Sequence, residues 1–152
     1  MDLTPQVLDR LKKTIIATVP FAERTGVEIV ELRERYVKMR MPFEPNVNHV
    51  GIMYAGALFT LAELPGGAIF ATTFDVTRYY PIVKEMHIRF RRPATTDVTV
   101  EVELSPEQAA EIAARAEREG KADFEWECQL RDASGEVVAV SKNVYQLRKV
   151  GT

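Results

Sequence analysis

Apolar residues recur along this chain with two different periods, and the switches between them mark out its elements. Residues 5–18 carry Val7, Leu8, Leu11, Ile15 and Ile16 at helical spacing, with Asp9, Arg10, Lys12 and Lys13 on the other face. Thr4-Pro5 supplies an N-cap followed by proline at the first helical position, where a missing N–H costs nothing. The spacing predicts an amphipathic helix lying on a larger body. A period of two then takes over. Val37, Met39, Met41 and Phe43 alternate with Tyr36, Lys38, Arg40 and Pro42, and Val27–Leu32 is the partner strand across a turn at Arg33–Arg35. In Ile82–Arg91 the apolar set is Ile82, Met86, Ile88 and Phe90, against Val83, Glu85, His87 and Arg89, and Arg91-Arg92-Pro93 closes the strand. Val98, Val100, Val102 and Leu104 alternate with Thr99, Glu101 and Glu103; Phe124, Trp126, Cys128 and Leu130 do so with Glu125, Glu127 and Gln129. Asp132-Ala133-Ser134-Gly135 is a hairpin turn into a last strand near 136–148. About six strands result, each apolar on one face, as an antiparallel sheet covered on one side requires.

Two helical segments of opposite character lie between the strands. Ser105-Pro106-Glu107-Gln108 has capping-box order and opens an Ala-, Glu- and Arg-rich helix to about Glu119. Its apolar stripe (Ala109, Ile112, Ala113, Ala116) is thin, so it is expected on the surface. Tyr54–Phe70 is apolar almost all the way round, and such a helix has to be buried on nearly every side. The expected architecture is α+β: a sheet of about six antiparallel strands wrapped round one central helix. No repeat, low-complexity tract or linker interrupts the chain, so residues 1–152 read as one domain.

Composition narrows the classes of function. Of 152 residues, 46% are hydrophobic and 28% charged, with a net charge of −2, so bulk electrostatics draw the chain to neither nucleic acid nor an anionic membrane. Cys128 is the one cysteine and has no partner for an internal disulfide, which suits a reducing compartment. Met1-Asp2-Leu3-Thr4-Pro5 has neither the basic start nor the small-residue cleavage site of a signal peptide. The stretch Val50–Phe74 comes closest to a membrane span but carries Glu63, with Pro65-Gly66-Gly67 just behind it. A cytoplasmic protein is expected.

Glu63 is the only ionisable acid or base from Val50 to Phe74 apart from Tyr54. An isolated carboxylate in apolar surroundings costs several kcal/mol unless it is paired, hydrogen-bonded or protonated. One reading is structural: a Glu held by a backbone amide or exposed at a helix edge. The other is a carboxylate with a raised pKa, poised as general base or nucleophile. Its surroundings suit the second reading. Asn48-His49-Val50-Gly51 is a polar loop entering the helix, and Tyr54-Ala55-Gly56 is the first turn, whose free N–H groups and positive dipole end are suited to a developing oxyanion. Gly56 and Glu63 are seven residues apart, two turns along one face.

Asn48-x-x-Gly51-x-x-Tyr54-Ala55-Gly56-(six residues)-Glu63 resembles the signature of the phenylacetate-type acyl-CoA thioesterases of the hotdog superfamily. That signature reads Asn-x-x-Gly-x-x-His-Gly-Gly, with Asp or Glu seven residues after the last Gly. Met86-His87-Ile88-Arg89-Phe90-Arg91-Arg92-Pro93-Ala94 is similar to the family's strand that ends in an aromatic and then Arg-Pro-Ala. With the order of elements, the resemblance covers about residues 20–148. It implies a hotdog fold and hydrolysis of acyl-CoA or related acyl thioesters. In that reaction Glu63 would activate water or attack the thioester carbonyl, and Asn48 would polarise or position it. The Ala55 N–H would donate to the oxyanion, and Gly56 would let the acyl group approach closely. It also implies a homodimer or homotetramer in which two sheets join edge to edge and each Glu63 faces the other subunit's Asn48 loop. Two positions depart from the pattern: the family's His is Tyr54 and its first Gly is Ala55, although a backbone N–H survives that change. Where some relatives carry a water-orienting Ser or Thr, near Val83, the residue is apolar.

Among the basic residues Arg78, Lys84, Arg89, Arg91 and Arg92, the last three are candidates to hold the phosphates of coenzyme A, against the alternative of a solvated strand face. No cofactor or metal is expected: the chain lacks a Gly-rich phosphate loop, zinc-ligand spacing and a G-x-S-x-G elbow. Two other functions stay open. One is a hotdog module that binds acyl groups or serves as a scaffold without turnover. The other is a 3-hydroxyacyl dehydratase, because His49 lies fourteen residues before Glu63 as in hotdog dehydratases; their loop starts His-Phe-Pro, whereas here it reads His49-Val50-Gly51. His87 reads as a surface or interface residue, and Trp126 and Cys128 as core.

Overall fold

The structure, a computed structural model, describes residues 3–152; Met1 and Asp2, with which the N-terminal reading begins, lie outside the described residues. In chain order the elements are α1 (Pro5–Ala17), α2 (Pro20–Arg24), β1 (Glu28–Arg33), β2 (Tyr36–Met41), a 3₁₀ turn at Glu44–Asn46, α3 (Ala55–Glu63), α4 (Pro65–Thr73), β3 (Tyr79–Phe90), β4 (Val98–Glu103), α5 (Pro106–Glu119), β5 (Lys121–Arg131) and β6 (Val137–Lys149). The strands form one antiparallel sheet in the order β1-β2-β4-β5-β6-β3. The helices α3 and α4 pack on its inward face, where Leu58, Leu61, Ala62, Ala68 and Ile69 meet Val37, Met39, Met41, Val98, Val100, Leu130 and Leu147 in one apolar core. This is the hotdog arrangement, a sheet round a central helix.

Local signals set the element boundaries. The Thr4 hydroxyl accepts from the Val7 N–H at 3.4 Å, starting α1 at Pro5. Ser105 and Gln108 form the reciprocal capping box of α5, which ends at Gly120 with φ 79°, a left-handed conformation that glycine adopts without a Cβ penalty. The thin stripe of α5 (Ala109, Ile112, Ala116) is buried and its other faces are solvated.

The central helix departs from the expected continuous rod. It breaks at Leu64, because Pro65 has no N–H to give the Leu61 carbonyl and Gly67 turns its N–H to Leu64 O at 3.2 Å. Ala55–Thr73 is long and apolar enough by composition to cross a membrane, yet 67% of it is buried inside the protein as core. Nor is it enclosed on every side. Phe59 is 41% exposed, Glu63 is half-buried and Gly67 is exposed, so one stripe of the helix stays open.

The second departure is in β3. A bulge between Val83 and Glu85 leaves Lys84 without a partner, so Val83 lies opposite Tyr145 while Glu85 lies opposite Val144. Directly paired residues share a face of the sheet. The inward set is therefore Pro81 and Val83 before the bulge, and Met86, Ile88 and Phe90 after it. Reading one uninterrupted alternation assigned Ile82 to this face and Val83 to the other; the bulge exchanges them. Among the described residues β3 is an edge of the sheet and tolerates Pro81. It also exposes Tyr80, Ile82, Val83 and Phe90.

Candidate catalytic site

Glu63 is the last residue of α3. Its carboxylate has no ion pair or hydrogen bond among the described residues, and burial alone pushes its pKa above the ordinary glutamate value. The main chain beneath it, by contrast, is held firmly. The Tyr145 hydroxyl donates to the Glu63 carbonyl at 2.9 Å, and Asn143 Nδ2 donates to the Ala62 carbonyl at 2.8 Å and to Tyr145 Oη at 3.0 Å. The Ser141 hydroxyl donates in turn to Asn143 Oδ1. These three side chains stand on the inward face of β6, and all are buried. Burial drives the Tyr145 phenol well above its usual range, so it stays a neutral donor. Val83 lies directly across from Tyr145.

The opposite end of α3 is a different environment. Asn48 Oδ1 accepts from the Val50 and Ile52 N–H groups at 3.0 and 3.2 Å, and Asn48 N–H donates to Ile52 O at 2.8 Å, which curls the loop before the helix. The loop is then tied to the segment after β3: Met53 N–H donates to the Ala94 carbonyl at 2.8 Å. That one bond unites the two motifs of the sequence. Between them lies a cavity of about 230 Å³, lined by Asn48, Ala55, Leu58, Phe90, Arg91 and Arg92, among others. The side chain of Tyr54 does not cap the helix, and among the described residues neither the Ala55 nor the Gly56 N–H has an acceptor. Nor, among the described residues, does the Asn48 amide Nδ2 have an acceptor. A cavity edged by uncapped N–H donors is suited to an oxyanion.

Asn48, Ala55, Arg91 and Arg92 are thus brought together; Gly56 follows Ala55 at the same helix end without lining the cavity, and Glu63 and Arg89 lie elsewhere. The space over Gly56 is taken by the ring of Tyr54. Eight residues of helix separate Ala55 from Glu63, about 12 Å along the axis. Arg92 makes an exposed ion pair with Glu136 at 3.7 Å. Arg89 faces a separate groove with Arg91, His87, Lys142 and Glu127, and no carboxylate lies within ion-pair distance of Arg89, Arg91 or Lys142 among the described residues. His49 and His87 are exposed. Cys128 is buried, which pushes its thiol up to about 11, while Trp126 is half-buried and its ring lies tilted at 39° to that of Tyr145, the centroids 4.7 Å apart. Sequence reasoning passed over the β6 triad. Its signal was present: Ser141, Asn143 and Tyr145 share the inward parity of Ala139 and Leu147, so polar side chains recur where an apolar face is expected.

Residues 9–145 match the family described as a domain of unknown function, DUF4442. No curated protein matches the chain. Among solved structures, a protein of unknown function from Pseudomonas aeruginosa, described as a probable thioesterase, is 49% identical with a TM-score of 0.90, covering 93% of this chain and 95% of that one. A protein of unknown function from Chlorobaculum tepidum is 20% identical (TM-score 0.82, 97% and 98% covered), and a thioesterase from Haemophilus influenzae 15% identical (TM-score 0.71, 100% and 95% covered); both share the fold. A match over most of the chain, together with a relative identical at nearly half its positions, makes this protein a member of the DUF4442 family within the hotdog-fold thioesterase group.

Proposed function

We propose that this protein hydrolyses acyl thioesters, acyl-CoA first among them, with Glu63 as general base or nucleophile. The observation that carries the reading is an unpaired, half-buried carboxylate on a firmly held helix end, its pKa raised by burial. The thioesterase description of the Pseudomonas relative supports the reaction class. In the base route Glu63 takes a proton from water as its oxygen attacks the thioester carbon. Electron density moves to the carbonyl oxygen, where the Ala55 N–H and the Asn48 amide supply donors. Collapse breaks the C–S bond, and Glu63 returns the proton to the leaving thiolate. In the nucleophile route the carboxylate itself attacks, the C–S bond breaks and the thiolate leaves to take a proton from water, and water then hydrolyses the resulting anhydride to the free acid and the Glu63 carboxylate.

A base and an oxyanion donor must both lie about 3 Å from the reacting group, and about 12 Å of helix divides them within one chain. The reading therefore includes a homodimer, with β3 edges joined so that the Glu63 end of one α3 meets the Asn48 end of the other. Exposed Phe59, Ile82 and Val83 form an apolar margin suited to such a joint. The groove of Arg89, Arg91, Lys142 and His87 opens beside the cavity and suits the phosphates of coenzyme A. Arg92 contributes less, being engaged with Glu136.

Thiol release from a panel of acyl-CoAs tests the proposal: Glu63→Gln is expected to lower turnover at least a hundredfold. Equal rates for the wild type and the variant on every substrate overturn it. Ligand affinity with no turnover in the wild type points instead to an acyl-binding module, a reading kept open by Tyr54 and Val83, which depart from the thioesterase pattern. His49, exposed on its loop, gives the dehydratase reading no such support.

A further inference from the structure

Pro65 has no N–H for the Leu61 carbonyl and Gly67 turns its N–H to Leu64 O, so the helical ladder is interrupted around Glu63, and a helix end of that kind frays unless its carbonyls find other donors. Those of Ala62 and Glu63 do. Asn143 reaches the Ala62 carbonyl at 2.8 Å and Tyr145 the Glu63 carbonyl at 2.9 Å, both from β6, a strand paired on both sides. The Asn143–Tyr145 bond at 3.0 Å and the Ser141–Asn143 bond fix the orientation of both donors. The fit is steric as well: a Cβ on Gly66 would run into the Tyr145 ring, so the Pro65-Gly66 break and the tyrosine are shaped to one another. The carboxylate of Glu63, meanwhile, has no side-chain partner of its own among the described residues, so its direction is inherited from its main chain.

We infer that Tyr145 and Asn143 are positioning residues for the reaction, clamping the main-chain carbonyls at the α3–α4 break so that the Glu63 carboxylate keeps a single orientation in its half-buried setting. The inference rests on the reading of Glu63 as the reacting carboxylate. Tyr145 and Asn143 act on Glu63 through the backbone and do not themselves touch substrate. Without the clamp the end of α3 loosens, and the carboxylate gains freedom to turn into water.

The test uses the full chain as wild type, Tyr145→Phe, Asn143→Ser and Glu63→Gln. Tyr145→Phe keeps the ring in its notch beside Gly66 and removes only the hydroxyl. The expected result is a kcat lowered about tenfold with KM within about twofold, as the loss of one hydrogen bond acting on the transition state gives. The acid limb of kcat/KM moves to lower pH. Carbon-13 titration of the Glu63 carboxyl, which needs no substrate, moves the same way, toward the exposed glutamates. Asn143→Ser follows in the same direction and covers the case in which one variant folds poorly. Wild-type kcat and an unmoved Glu63 titration in both variants, with Glu63→Gln inactive, overturn the positioning role and leave the base assignment standing. A drop in kcat with the titration unmoved also overturns it, since that is general loosening. Wild-type turnover by Glu63→Gln removes the base assignment, and the inference with it.

Discussion

The ring of Tyr145 occupies the volume that a side chain on Gly66 would need, while its hydroxyl reaches past that residue to the carbonyl of Glu63. Strand β6 and the helix break are therefore fitted by shape and by hydrogen bond at one point. Gly66→Ala forces either the ring or the helix aside, and both are buried. It is expected to cost about 1–3 kcal/mol, read as a lowered denaturation midpoint. The neighbouring Gly67 is the control, because among the described residues a Cβ there meets nothing beyond its own helix within 4 Å. Gly67→Ala should raise stability by about 0.5–1 kcal/mol through helix propensity. Equal losses at the two positions would contradict the steric account.

Ala55 is the first residue of α3, where proline is well accommodated. Tyr54, at φ −56° and ψ 134°, already has the extended conformation required before proline. Ala55→Pro thus deletes one N–H with little disturbance of the fold. If that N–H serves the oxyanion, kcat falls by about 10²- to 10³-fold while the melting temperature hardly moves. Unchanged turnover would remove Ala55 from the site.

A site shared between two chains makes a separate prediction. In a mixture of Ala55→Pro and Glu63→Gln chains, each mixed dimer holds one site with both Ala55 and Glu63 intact. Activity should recover to about a quarter of wild type after the chains exchange. No recovery, with exchange verified by mass, would place both groups in one chain or deny their pairing.

The raised pKa of Glu63 carries a stability signature with a definite sign. Its pKa is higher folded than unfolded, so between the two values the native state holds more protons, and stability falls as pH rises through that window. At neutral pH the ionised group is a net cost of folding. Glu63→Gln should therefore melt higher than wild type at pH 7, with the difference vanishing below the unfolded value of 4.5. Thermal melts from pH 3 to 8 check this, and a variant less stable at pH 7 would contradict the account.

Glu117 shows the opposite sign. Hydrogen bonds from Lys149 first and from Tyr79 second, with Arg78 nearby, hold its carboxyl down to about 2. Its contribution is present above the ordinary value of 4.5 and is lost as pH falls toward 2. Glu117→Gln should lower the melting temperature at pH 6 and match wild type near pH 2.

The sequence by itself determined the elements and the residue of chief interest. Helical and strand periods, the Thr4-Pro5 and Ser105–Gln108 caps, and the hairpin turn at Asp132–Gly135 are local: each depends on residues a few positions apart, so each is legible without partners. Glu63 stood out for the same reason, as the one carboxylate in an apolar helix. The tertiary structure decided what depends on register. The bulge at Lys84 exchanges Ile82 and Val83 between faces, which no run of residues within β3 reveals, because a bulge is defined against the partner strand. The bond from Met53 to Ala94 joins two motifs some forty residues apart and so makes the cavity. The clamp of Tyr145 and Asn143 on Glu63 and Ala62 spans more than eighty residues, linking carbonyls at the broken helix end to donors on a strand whose parity is legible in the sequence but whose partners are not. A buried carbonyl without a donor is costly wherever it lies. Which side chain meets that need is a matter of three-dimensional register, and so Glu63 stood out in the sequence as a lone carboxylate, while the side chains that hold its main chain could be assigned to it only in the folded sheet.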